Sequence, residues 1–147
     1  MKINLDCIRD ILIYIEEHLT VTLHDNLTAI ECNSLDVLNL SKDLPNYKRD
    51  DIWYSVKMLT ECNYIDTRGI STQTYFSMMY IDSMTYAGHK FLESIRPQSV
   101  WDKTKSIISK VGSHTLEFIE DTAQKIAIEY AKSLINSAPI NTPSNTK

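Results

Sequence analysis

The spacing of apolar residues changes from helical to extended and back in the middle of the chain, and this change constrains the fold more than any other feature. In residues 48–62 the apolar side chains recur every three or four positions, as on one face of a helix. The extended stretch Tyr64–Arg68 follows, and Thr74–Ile81 is rich in aromatic and β-branched residues. We therefore predict a helix that leads into a β-hairpin, with Gly69 at the turn and residues 70–73 in the loop.

Helical patterns lie on both sides of this hairpin. Leu5–Leu19 has the spacing of an amphipathic helix, Thr28–Glu31 has the β-branched content of a short strand, and Ser34 is placed to cap a short helix. A further helix is predicted from Thr85 to Ile95. The order helix, strand, helix, helix, hairpin, helix is that of a winged helix, in which the third helix usually enters a DNA groove. A different α+β arrangement of the same elements is the alternative.

Two more helices are predicted after Pro97. Ser99, with Asp102 three residues later, resembles a capping box, and Gly112 is placed to end the helix that begins there. The predicted organisation is a mostly α, α+β chain with a winged-helix-like domain at 1–96, a helical extension at 97–136 and a disordered tail at 137–147.

Residues 114–135 are predicted to form a single helix with a coiled-coil-like seam. The apolar positions step by three and four residues, and they are Leu116, Ile119, Ala123, Ile126 and Tyr130. We expect this seam to be buried against a helix from a second copy of the chain, which predicts a homodimer or a higher homo-oligomer. The alternative is that the helix folds back on its own domain, because Phe118, Ile128 and Ile135 lie off the seam and can pack on the preceding helix.

The charge distribution argues against a typical nucleic-acid binder. The chain of 147 residues has a net charge of -4, and residues 1–95 contain 8 basic against 14 acidic side chains. On the third helix the face opposite the apolar stripe carries Asp50, Tyr54, Lys57 and Glu61. The candidate DNA contacts are the bases near this helix and the hairpin, namely Lys48, Arg49, Lys57 and Arg68.

The same surface is a candidate protein-binding site. Large apolar side chains lie on both faces of the predicted hairpin strand, so one face needs cover from the C-terminal helices, a ligand or another chain. Met78 suits an adaptable protein contact because its side chain is flexible. The candidate protein contacts are therefore Asp50, Tyr54, Glu61, Met78 and the seam from Leu116 to Tyr130.

Enzymatic and membrane functions find little support in the sequence. The three cysteines form no CxxC pair and the four histidines have no metal-ligand spacing, so we predict no metal, no cofactor and no catalytic residue. The first apolar stretch is interrupted by charged residues, as at Asp6, Arg9 and Glu16, which excludes a signal-peptide core or a membrane span there. We expect a cytoplasmic protein that is not an enzyme.

Two parts of the sequence resemble a known family. They are Asn4–Leu12, and Met84–Leu92 followed by Ile95–Arg96 and Val100–Trp101. The family consists of small proteins from prophages and Gram-positive bacteria and is catalogued as a domain of unknown function. The start of the helix at Thr85 and Gly88 is also similar to the helix after the wing in many winged-helix regulators, where leucine commonly occupies the position of Met84. The resemblance extends to about Gly112, implies a winged-helix fold and a phage-related role, and brings no catalytic residue with it.

Two functions are consistent with these observations. The first is a small winged-helix regulator of phage or prophage type that binds DNA. The alternative is a protein-interaction module that binds or inhibits a host or phage protein through its acidic third helix and aromatic hairpin, and that self-associates through its C-terminal helices. The charge favours the second hypothesis, whereas the usual role of the fold favours the first.

Overall fold

The computed structural model describes residues 2–23, 30–71 and 76–137. These residues form an α+β structure that is mostly α-helical. Its elements in chain order are α1 (Leu5–His18), β1 (Val21–Leu23), β2 (Ile30–Cys32), β3 (Leu35–Asp36), α2 (Val37–Asp43), α3 (Arg49–Glu61), β4 (Ile65–Ser71), β5 (Phe76–Met84), α4 (Tyr86–Ile95), α5 (Gln98–Val111) and α6 (Leu116–Ser137). Among the described helices, none is long and apolar enough to cross a membrane.

The hairpin β4–β5 forms an antiparallel sheet with β3 in the order β3-β5-β4. The prediction of a turn at Gly69 is wrong, because Gly69 pairs with Met79 inside the ladder and β4 continues to Ser71. The strand β5 also extends past the predicted end at Ile81 to Met84. Pairing across the long ladder outweighs the weak strand propensity of one glycine. The predicted strand residues Thr74 and Tyr75 lie outside the described part of the chain.

A small second sheet occupies the connection between α1 and β3. Strands β1 and β2 pair antiparallel, with Val21 opposite Cys32. The predicted strand at Thr28–Glu31 overlaps β2, while β1 was not anticipated. The Asn33 amide closes this sheet, because its Oδ1 accepts from the Thr20 N–H at 2.6 Å and its Nδ2 donates to the His18 carbonyl at 2.9 Å.

The start of α2 differs from the expectation. Ser34 does not cap this helix; Asp36 does, and its carboxylate accepts the Leu38 N–H at 2.9 Å. Leu35, which a cap at Ser34 would place in the first turn of the helix, pairs with Ile81 in the sheet. The Ser34 hydroxyl instead donates to Asp82 at 2.6 Å, since the preceding backbone already follows the sheet.

The two stretches that resemble the family form caps and close contacts. Asn4 caps α1 by accepting the Cys7 N–H, and Thr85 caps α4 by accepting the Gly88 N–H at 3.1 Å. A Cβ on Gly88 would lie 2.1 Å from the Tyr64 carbonyl oxygen, so only glycine fits where α4 crosses the start of β4. These residues therefore determine how α1 and α4 are placed.

The C-terminal helices agree with the prediction except at their ends. Helix α5 begins at Gln98 after the cap residue Pro97, so the predicted cap at Ser99 is wrong by two residues, and Gly112 ends the helix at a φ of 80°. Helix α6 includes Ser137, which the sequence had assigned to a disordered tail. Residues 138–147 lie outside the described part.

One continuous core joins all six helices and the main sheet. Helix α1 contributes a fully buried stripe and packs on α3, α4 and β5, while α6 packs on α4 and α5. Arg9 secures the junction of α4 and α5: its guanidinium donates to the Ile95 carbonyl at 3.0 Å, to the Arg96 carbonyl at 2.7 Å and to the Gln98 side chain at 3.0 Å. Trp101 is buried beside Arg9, and its indole N–H donates to Asp6 at 2.8 Å.

Candidate functional site

The outer face of α3 is the first candidate site. The helix is oriented by Ile52, Val56 and Leu59, which are buried against the core. This burial turns Asp50 and Glu61 to solvent and leaves Tyr54, Lys57 and Trp53 partly exposed. The surface is therefore mixed in charge and partly aromatic, as the sequence predicts.

Lys48 and Arg49 lie together at the N-terminus of α3. Lys48 is the cap residue and supplies no side-chain cap hydrogen bond. Arg49 and Asp50 line a cavity of about 130 Å³ next to Trp53. The first turn also contains Asp51, so two carboxylates stand beside the two bases. These acids suit the positive end of a helix dipole, and they oppose the approach of phosphate.

Lys57 is engaged within α3. Its ammonium lies 3.7 Å from the Glu61 carboxylate one turn later and 5.7 Å from the centre of the Trp53 ring. Both members of the ion pair are about half exposed, so the pair contributes little stability. It does offset the positive charge that a phosphate contact at Lys57 would use.

Arg68 belongs to the sheet and not to the α3 surface. Its guanidinium donates to Asp82 at 2.8 Å and to the Ser34 hydroxyl at 2.8 Å, above the ring of Tyr80. Its neighbour Thr67 contacts α3, and successive strand residues point to opposite faces, so Arg68 points away from that helix. Burial raises the pKa of Asp82, but the Ser34 hydroxyl and Arg68 outweigh it and hold that pKa below its ordinary value.

The four candidate DNA contacts therefore separate into two places. Lys48, Arg49 and Lys57 share α3, whereas Arg68 lies on the outer face of the sheet. Met78, a candidate protein contact, pairs with Ile70 in the hairpin, and its side chain lies outside the described part of the structure.

The C-terminal seam is buried, although not by a second chain. Four of its five residues are packed against α4 and α5 of the same molecule, namely Leu116, Ile119, Ala123 and Ile126. The expectation that a second copy covers them is wrong, because the helix folds back on its own domain. Tyr130 is 49% exposed and lines an open groove with Val100 and Lys103.

Polar contacts that the sequence did not reveal help to hold α6. The Tyr64 hydroxyl donates to Glu120 at 2.5 Å, and the Gln124 amide donates to the same carboxylate at 3.0 Å. Burial and the bond to Glu120 raise the pKa of Tyr64 far above its ordinary value. Burial, together with Glu117, raises the pKa of the Cys62 thiol to about 11. No periodicity could indicate the pairs Tyr64–Glu120 and Cys62–Glu117, because their members are more than fifty residues apart.

Of the three off-seam residues of α6, Phe118 is partly buried against the core, whereas the other two differ from the expectation. Ile128 and Ile135 do not pack on α5; they are 55% and 72% exposed. Ile128 lines a groove of about 480 Å³ between α4 and α6 together with Tyr86 and Ala127, and Tyr86 is itself 82% exposed. An exposed apolar surface therefore lies beside Ile128 on α6, where the sequence analysis had placed no functional residue.

A pocket between α1, β2 and β5 that contains several titratable side chains is the remaining chemical candidate. Cys32, His89, Asp82 and Glu16 line this cavity of about 200 Å³. Asp82 and Glu16 are already bonded to arginine side chains of the same chain. Across the residues that the structure describes, no three His, Cys, Asp or Glu side chains converge on a possible metal position.

The fold and these surfaces define a small α+β domain with exposed charged and apolar surfaces and an added C-terminal helix. The chain belongs to the family described as Hypothetical protein (DUF2513), whose model matches residues 2–114. The resemblance to a domain of unknown function is thereby confirmed, and its extent agrees with the limit expected near Gly112. Helix α6 begins just after the matched region. No curated protein and no solved structure matches the chain.

Proposed function

We propose that the chain is a winged-helix protein that acts by binding another protein through the outer face of α3. Support for the fold comes from the order α1, β3, α2, α3, β4, β5 and from the sheet order β3-β5-β4. In this arrangement three helices pack on a small sheet, and the hairpin β4–β5 takes the position of the wing.

The ion pairs formed by the candidate basic residues favour a protein partner over DNA. DNA affinity rests on several free cations that neutralise neighbouring phosphates. Here Lys57 is paired with Glu61, and Arg68 is paired with Asp82 on a different face. Lys48 and Arg49 remain, next to two carboxylates. Such a mixed surface gives poor phosphate neutralisation and good complementarity to a mixed-charge protein surface.

The aromatic content of α3 supports the same choice. Tyr54 and Trp53 are partly exposed between the charged residues. Protein interfaces are enriched in Tyr, Trp and Arg, which often contribute most of the binding energy. We place Tyr54 at the centre of the binding surface, with Asp50 and Glu61 at its rim. A host or phage protein is the proposed partner.

A pull-down experiment that compares variants of the chain tests this function. The tagged chain is incubated with extract, and retained proteins are compared with those retained by Tyr54→Ala and Glu61→Lys variants. We expect a partner that the unmodified chain retains and both variants lose, because each change removes a contact without altering the core. A Lys110→Ala variant in α5 is the matched control and should retain the partner.

DNA binding is the second candidate function, and the topology with the adjacent bases Lys48 and Arg49 favours it. A gel shift with sheared DNA over a salt series separates the two functions. The protein-binding proposal expects weak affinity that is unchanged in an Arg49→Ala variant. Affinity that falls steeply with salt and drops several-fold in that variant would overturn it in favour of a DNA-binding regulator.

A further inference from the structure

Helix α6 changes character along its length. Its first half carries the seam that is buried on α4 and α5, and from Ile128 to Ser137 every residue is exposed. A helical segment this short receives little support from its own backbone, so tertiary or quaternary packing normally stabilises it. The second half of α6 has no such packing among the described residues.

The exposed half carries a second apolar stripe. Ile128, Ala131 and Ile135 are spaced by three and four residues and share one face, and Leu134 lies beside them. Ile128 also borders the groove between α4 and α6 that contains Tyr86. A groove and a projecting apolar helix end therefore lie side by side on one molecule.

This combination fits a second copy of the chain. In a two-fold symmetric interface the same patch must complement itself, and here the projecting end of one α6 can fill the groove of the other. Antiparallel pairing centred on Ala131 brings Ile128 of each copy opposite Leu134 of the other and next to Ile135, and the small alanine permits close approach of the helices.

The charge and the exposed area of this surface are compatible with a second copy of the chain. The exposed half contains one acid, Glu129, and one base, Lys132, so two copies approach without net repulsion. Tyr86, Ile128, Leu134 and Ile135 are each more than half exposed. Fully buried, these four side chains contribute roughly 500 Å² per copy, which brings a dimer to the ~1,000 Å² lower limit of a biological interface.

We propose that the chain forms a homodimer through the C-terminal half of α6 and the groove beside Tyr86. The interface is separate from the buried seam and from the proposed partner surface on α3. Each dimer therefore presents two α3 surfaces, and its formation does not rest on what α3 binds.

Sedimentation velocity of the full chain over a concentration series tests the dimer. A reductant is present because the exposed thiol of Cys32 would otherwise join chains covalently. We expect a dimer with a micromolar dissociation constant. Ile135→Glu and Tyr86→Glu should each weaken it at least tenfold, because each buries a carboxylate in the apolar contact. Ser133→Glu adds the same charge away from the stripe and should leave the dissociation constant unchanged.

Cross-linking provides an independent measurement. In a chain with Cys32→Ser, an Ala131→Cys variant should be joined rapidly by a short bismaleimide, and a Ser133→Cys variant slowly. A monomer at all concentrations, or a dimer insensitive to both Ile135→Glu and Tyr86→Glu, would overturn the proposal. Equal cross-linking at the two cysteine positions would overturn the central position of Ala131.

Discussion

Helix α3 precedes the hairpin β4–β5 in the chain and helix α4 follows it, yet the contacts of the two helices differ. Helix α4 begins at the Thr85 cap, crosses the backbone at Gly88 and ends where Arg9 binds its last carbonyls. Helix α3 begins at Lys48 without a side-chain cap and presents mixed charges to solvent. The residues that resemble the family thus hold the fold, whereas the residues proposed for binding make few contacts within the chain.

The largest expected effect belongs to the indole that joins α1 and α5. Trp101 is 1% exposed and bonded to Asp6, so Trp101→Ala should lower the free energy of unfolding by about 4 kcal/mol. Trp53→Ala on α3 removes a partly exposed ring and should cost clearly less. Urea denaturation measures both. Equal losses would remove the distinction between the two regions.

Close packing at Gly88 gives the next effect. Gly88→Ala forces a Cβ against the Tyr64 backbone and should cost about 3 kcal/mol, although alanine is the better helix former. Gly112→Ala has free space but a φ of 80°, and should cost about 1 kcal/mol from backbone strain alone. Thermal unfolding of the two variants compares the cost of a steric clash at Gly88 with the cost of backbone strain at Gly112. A smaller loss at Gly88 would show that the crossing relaxes easily.

The same substitution at two arginines sharpens the comparison. Arg9→Ala leaves the carbonyls at the end of α4 without their donor and should cost about 2 kcal/mol. Arg49→Ala should change stability by less than about 0.5 kcal/mol, since Arg49 is exposed on α3. Arg9→Lys should not restore stability, because lysine lacks the planar guanidinium group with its several N–H donors. Urea unfolding of all three variants checks this, and a full rescue by lysine would contradict it.

The smallest effect is a pH dependence at Asp6. Burial raises the pKa of this carboxyl, but bonds from Lys105 and Trp101 outweigh burial and lower the pKa below the ordinary value. Its contribution is therefore present at neutral pH and is lost as the pH falls through the acid range below about 4. Because Asp6 is about half exposed, we expect an effect below about 1 kcal/mol.

Unfolding measured between neutral and acid pH tests this dependence. Asp6→Asn should reduce the loss of stability in acid. Lys105→Met should also reduce the loss of stability in acid, and the double variant should differ little from either single variant. An acid loss of unchanged size in Asp6→Asn would exclude this carboxyl as a source.

Sequence reasoning succeeded where information is local. Apolar spacing located all the long helices, and Thr85 and Gly112 were recognised as helix boundaries. It failed at Gly69 and Ser34, where the sheet overrode local preference. On the candidate surface, the α3 face followed from helical spacing, but the pairing of Arg68 with Asp82 required the register of the hairpin.

The sequence by itself determined the helices, the presence of a hairpin, the family resemblance and the mixed charge of α3, because these depend on periodicity and composition. Only the tertiary structure decided that the seam of α6 is covered by α4 and α5 of the same chain and that Ile128 and Ile135 remain exposed. The physical reason is that an apolar stripe specifies burial and not the partner that buries it. The partner is selected by contacts between residues far apart in the chain, such as Tyr64 and Glu120.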